Sequence, residues 1–244
     1  MGLALPIPAM ETEMKTQRTT RGSRAFTLTE LLVVICLVAL VAALLLPALA
    51  AAKLKSSKVN CVNNLKQLGL SFRIWEGDNG DKYPMQVSVT NDGAMELAIA
   101  GNVSAIFRVM SNELCTPRIL VCPSDTGRHY ATNFTTDLNH QTISYFVGLD
   151  AEDKYPQMIL SGDDNLEVNG VRVRPGILNL SPNTSVEWTE NERHGLPQQW
   201  SIHKQHYRLG NIGLADGSVL STTVPTLTSA LANTGAATNR LVIP

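Results

Sequence analysis

The chain has 244 residues, 17% of them charged and 5% aromatic, with a formal net charge of −1. That balance leaves no strongly basic face and argues against a nucleic-acid-binding protein. The length suffices for one globular domain of ordinary size with its own core.

Residues 1–25 are basic in their second half, with Lys15, Arg18, Arg21 and Arg24 against Glu11 and Glu13. Phe26-Thr27-Leu28-Thr29-Glu30 follows, then an uncharged apolar run from Leu31 to Ala52. As a helix these 22 residues extend about 33 Å, enough to span a hydrocarbon core of about 30 Å. A carboxylate at the start of such a run is costly without a partner, so Glu30 is a candidate functional residue. The preceding Lys and Arg predict a cytoplasmic N-terminus; Lys53, Lys55 and Lys58 on the other flank oppose that bias. A secretory signal is the main competing reading. Its apolar core is usually roughly 7–15 residues, followed by small residues. Ala48–Ala52 supplies the small residues, but this reading leaves Glu30 unexplained. A plain single-span anchor is the other competitor.

Leu54, Cys61, Leu65, Leu68, Phe72 and Trp75 then recur at helical spacing, one stripe on a continuing helix that packs on a globular domain. Gly77-Asp78-Asn79-Gly80-Asp81 ends it with turn residues. Val103, Ile106, Phe107, Met110 and Leu114 predict a second helix, with Asn102 as N-cap and Pro117 as stop. Short strands are predicted at Ile119–Cys122, Ile143–Val147, Gln157–Leu160, Val171–Arg174, Ile177–Leu180 and Val186–Trp188. Asn211–Ala215 and Ser218–Thr222 flank Asp216-Gly217, a hairpin signal whose type I′ turn needs positive φ at both positions. Thr226–Ala232 predicts a short helix. The expected class is α+β, a long N-terminal helix with an antiparallel sheet.

The basic leader, Phe26, Glu30 and Pro47 together resemble the type IV prepilin signature, shared by pilins and type II secretion pseudopilins. The resemblance implies cleavage by a prepilin peptidase between Ala25 and Phe26 and methylation of the new Phe26 amine. The family places a glutamate fifth after the cut, here Glu30, and often a helix-kinking proline twenty-second, here Pro47. It usually has glycine before the cut; Ala25 departs from this but is small. The implied organisation is a removed leader (1–25), a transmembrane and assembly helix (26–52), an amphipathic extension (53–77) and a pilin-like globular domain (78–244). His206, nine further residues and Asp216-Gly217 also resemble the H-X9-DG motif of a pilin-like group of the Planctomycetes and Verrucomicrobia type. That second resemblance implies kinship and no particular chemistry.

Each candidate site has a bland and a functional reading. His206 is expected to hydrogen-bond a turn carbonyl or Asp216; the functional alternative is a ligand or metal site of His203, His206 and Asp216. Asp78, Asn79 and Asp81, and again Asp163, Asp164 and Asn165, are either solvated turns or calcium ligands. Neither cluster has EF-hand spacing; calcium ordering a loop in several pseudopilins is the family-level reason to weigh it. No other cofactor is expected. Cys36 lies in the apolar run. Cys61, Cys115 and Cys122 allow one disulfide, either Cys115–Cys122 or Cys61–Cys122.

No nucleophile elbow, phosphate loop or paired-carboxylate spacing supports an enzyme. The expected function is a pilin-like subunit of a type IV pilus or type II secretion pseudopilus. Its implied partners are the prepilin peptidase, other pilin subunits and an inner-membrane assembly platform. It would be single-pass in the inner membrane with its C-terminal domain periplasmic. The alternative is a membrane-anchored binding module for a polysaccharide or other surface ligand, with Trp188, Trp200, His203 and Tyr207 as an aromatic platform.

Overall fold

The computed structural model describes residues 26–125, 127–189 and 209–244. Helix α1 covers Leu28–Asp78, 51 residues that continue through Pro47. The chain divides into two compact units after Ala48. The Leu28–Leu49 segment, all but its last residue in the first unit, is long and apolar enough to cross a membrane, and none of it is buried. Such a segment serves as a membrane anchor or a signal sequence.

In the second unit α1 becomes a core element. Cys61, Leu65, Leu68, Phe72 and Trp75 are all buried, as their spacing predicts; the Leu54 side chain lies outside the described set. Phe72 meets the Tyr83 and Phe107 rings edge-on, with centroids 5.7 and 6.5 Å apart. The helix stops where Asn79 and Asp81 turn their N–H groups back to the Glu76 carbonyl, and Gly80 and Asp81 take positive φ. Three short helices follow: α2 (Met95–Ile99), α3 (Val103–Val109) and α4 (Ser111–Leu114). Asn102 caps α3 by accepting from the Ala105 N–H at 3.3 Å.

The strand expected at Ile119–Cys122 is instead a 3₁₀ turn over Pro117–Leu120. Thr116 accepts from the Arg118 N–H at its start, and the fixed φ of Pro117 suits a first helical position. Local capping therefore overrides the apolar run Ile119–Val121.

Nine strands follow among the described residues: β1 (Tyr145–Gly148), β2 (Ile159–Asp163), β3 (Leu166–Val168), β4 (Val171–Arg172), β5 (Gly176–Leu180), β6 (Val186–Trp188), β7 (Gly210–Leu214), β8 (Val219–Thr222) and β9 (Asn239–Ile243). Six form one sheet in the order β5-β9-β1-β2-β7-β8, and β4-β3-β6 form a second; every pairing is antiparallel. Helix α5 (Val224–Asn233) joins β8 to β9.

Alternation along the strands splits the core in two. Tyr145, Val147 and Val242 join the α1 stripe and Phe107. Phe146, Ile212 and Leu241 join Leu227 and Leu231 of α5, together with Trp188. With both faces covered, β1, β2 and β7 are buried along their whole length.

Candidate functional site

The N-terminal candidate begins at Phe26, which is exposed; Ala25 lies outside the described residues. Thr27 precedes the first turn of α1. Its N–H and its hydroxyl both donate to Glu30 Oε2, at 2.9 and 2.8 Å. In return the Glu30 N–H donates to the Thr27 hydroxyl at 3.2 Å. This is a capping box, Thr-x-x-Glu, which satisfies helix-end donors that otherwise have no intrahelical partner. The role of Thr27 was missed in the sequence reading, although the spacing Thr27-Leu28-Thr29-Glu30 contains the signal. Beyond Glu30, the large apolar side chains from Leu31 to Leu49 stand exposed.

The second candidate is the β7–β8 connection. Gly217 donates to the Leu214 carbonyl, and Leu214 donates to the Ser218 carbonyl. The loop is thus Ala215-Asp216-Gly217, and Gly217 alone in it has positive φ, +83°. The expected two-residue I′ turn is corrected to a three-residue hairpin with its left-handed residue last. The Asp216 carboxylate accepts from the Ser218 N–H at 2.8 Å, and so stabilises its own turn. Its carbonyl accepts from Arg73 Nη1 at 3.0 Å. The neighbouring Ala215 carbonyl accepts from the Tyr83 hydroxyl at 3.2 Å. The Asp-Gly pair is therefore a seat for α1 and for the segment just after it. His203 and His206 lie outside the described residues.

The third candidate is a set of buried carboxylates. Asp163, Asp164 and Asn165 are buried, which corrects their expected place in a solvated turn: β2 runs through Asp163. Asp163 Oδ2 accepts from the Asn211 N–H and side-chain amide at 2.7 and 2.9 Å. Burial pushes the Asp163 carboxyl up to about 7, against the lowering effect of those two hydrogen bonds. Asp164 turns the other way, to Arg128. The Arg128 guanidinium also meets Asp125 at 3.2 Å, and Asp125 accepts from the Ser144 hydroxyl at 3.0 Å. A cation from the chain itself thus stands where the calcium reading placed a metal. Among the described residues no three His, Cys, Asp or Glu side chains converge as metal ligands. Asp78 and Asp81 are exposed at the end of α1, where Asn79 donates its side-chain amide to the Trp75 carbonyl at 2.7 Å.

Cys61 and Cys122 form a disulfide, with Cα atoms 5.0 Å apart. It ties α1 to the chain just after the Pro117–Leu120 turn. Cys36 and Cys115 are free and exposed. Of the proposed aromatic platform, Trp188 is only 2% exposed. It packs in the α5-side core, so it presents no ring to a ligand; Trp200 and Tyr207 lie outside the described residues.

No family model matches the chain, and no curated protein or solved structure matches it.

Proposed function

We propose that this chain is a pilin-like structural subunit. On this reading Leu28–Leu49 holds it in the inner membrane, and the domain from Cys61 onward lies on the periplasmic side. A prepilin peptidase removes the leader after Ala25. The subunit then assembles through its N-terminal helix into a type IV pilus or a type II secretion pseudopilus.

The observation that carries this reading is the continuity of α1. Its exposed apolar start and its core-forming stripe belong to one helix. A signal sequence is discarded and has no reason to extend without a break into the folded core; a retained anchor that couples membrane to domain does. The Cys61–Cys122 disulfide supports a compartment outside the cytoplasm.

The Glu30 carboxylate already has a partner in Thr27. The cap satisfies the group within one chain and draws on the favourable helix N-terminus. In a lipid-excluded helix bundle, the positive amine of a neighbouring Phe26 offers Glu30 a charge instead of a neutral donor, and charge-assisted bonds are about twice as strong as neutral ones. Assembly on this view exchanges the local cap for an intersubunit ion pair.

The test compares Glu30→Ala, Glu30→Gln and Thr27→Val. Membrane-resident, processed subunit starting at Phe26 is measured by intact mass, and assembly by sheared filaments or crosslinked multimers. The expected result is normal processing in all three, with assembly impaired only in the Glu30 variants. Wild-type assembly in both Glu30 variants would make a simple membrane anchor the better reading. Equal impairment in Thr27→Val would assign the defect to the cap.

A further inference from the structure

We propose that Lys53, Lys55 and Lys58 form a collar that binds anionic phospholipid headgroups where α1 leaves the hydrocarbon. This rests on the membrane-anchor part of the preceding reading. The three lysines follow Leu49 by four, six and nine residues. At about 1.5 Å per residue they stand roughly 6–14 Å beyond the apolar span. Each headgroup layer is about 5–8 Å deep, half the difference between a core of about 30 Å and a bilayer of about 40–45 Å; Lys53 stands within it, and Lys55 and Lys58 stand just outside, within about one screening length of its charges.

Charge and direction both favour this partner. No Asp or Glu occurs between Glu30 and Glu76, so α1 itself holds no counter-charge for the collar. All three lysines are exposed and none forms an ion pair among the described residues. At about 100° per residue, Lys55 and Lys58 share one side of the helix and Lys53 stands on the opposite side. One protein surface docking from one side would leave at least one of them unmatched. A headgroup layer encircles the helix and meets all three.

Lys66 provides an internal control. It lies seventeen residues past Leu49, about 25 Å along the helix and well beyond the screening length of about 8 Å at physiological salt. It is also exposed but stands too far out to act on the lipid.

The test uses the full-length protein reconstituted into vesicles of phosphatidylcholine containing some phosphatidylglycerol. Flotation on a density gradient first establishes anchoring. Spin-labelled phosphatidylglycerol and phosphatidylcholine then report how much of each lipid is immobilised by the protein. The expected result is a preference of about two- to fivefold for phosphatidylglycerol at low salt, falling as salt rises. The Lys53→Gln/Lys55→Gln/Lys58→Gln variant should float equally well and lose the preference, while Lys66→Gln keeps it. Wild-type protein that floats but shows no preference, or a triple variant that retains it, overturns the collar and leaves the anchor standing. Wild-type protein that fails to float overturns both.

Discussion

Gly69 of α1 and Gly217 of the β7–β8 loop meet backbone to backbone: a Cβ on Gly69 would lie 3.7 Å from Gly217 Cα. One turn further along the helix, Arg73 clamps the same loop through the Asp216 carbonyl. The Asp216-Gly217 loop therefore acts as a contact between the helix and the sheet.

This contact predicts an asymmetric mutational result. Gly217→Ala forces a side chain into a left-handed conformation, at a cost of about 1–2 kcal/mol. Gly69→Ala meets only ordinary van der Waals contact and should be close to neutral, whereas Gly69→Leu must displace the loop. Thermal melts of the three variants check this. A Gly217→Ala melt equal to wild type would remove the turn from the account.

The disulfide closes a loop of 61 residues. Chain-entropy arguments give it about 4 kcal/mol. The double variant Cys61→Ala/Cys122→Ala should melt well below wild type, and Cys115→Ala should not. Alkylation of the folded, unreduced protein followed by mass spectrometry should label Cys115 and spare Cys61 and Cys122. Labelling of Cys122 with Cys115 protected would reverse the pairing.

Arg128 stands buried between the carboxylates of Asp125 and Asp164. Arg128→Met removes the cation and leaves both acids in the interior, a loss of about 3–5 kcal/mol. Adding Asp125→Asn and Asp164→Asn should recover part of it, because the repelling charges go too. Denaturant midpoints of the single and triple variants decide the matter; a triple variant less stable than Arg128→Met would show that the carboxylates' other hydrogen bonds, such as that from Ser144 to Asp125, outweigh the repulsion between the two acids.

Asp163 sets a pH dependence with a definite sign. Its carboxyl is raised from 3.8 to about 7 in the fold by burial, so the native state holds the proton more tightly than the unfolded chain. The stabilisation is complete below about pH 4 and is lost as pH rises towards 7, a change on the order of a few kcal/mol. Glu76, raised by burial and by the nearby Asp153, contributes in the same direction. Asp163→Asn should flatten this part of the stability profile. A profile unchanged in the variant would show that Asp163 keeps an ordinary carboxylate pKa in the fold.

The sequence made some elements easy to read and concealed others for physical reasons. The α1 stripe was legible because one helix face repeats over many turns and the same residues do all the packing. Strand β9 was not predicted, although it lies between β5 and β1 in the sheet. Its apolar residues Leu241, Val242 and Ile243 come at the chain's end with no turn signal after them. The Asp163-Asp164-Asn165 stretch has the composition of a turn, yet it is interior because Asn211 and Arg128 arrive from distant parts of the chain. The hairpin was found in the right place with the wrong turn, since Asp-Gly is compatible with two loop lengths and the strand register selects between them.

By itself, then, the sequence determined the features that depend on neighbours along the chain. These are the membrane-length apolar segment, the helix continuing beyond it, the antiparallel α+β class and the Thr27–Glu30 cap. Tertiary structure alone decided which cysteine pairs with Cys61, which carboxylates are buried, and that the Asp216-Gly217 loop seats α1. Each of these depends on groups brought together from far apart in sequence, where local propensity carries no information and only the packing of the whole domain selects the partner.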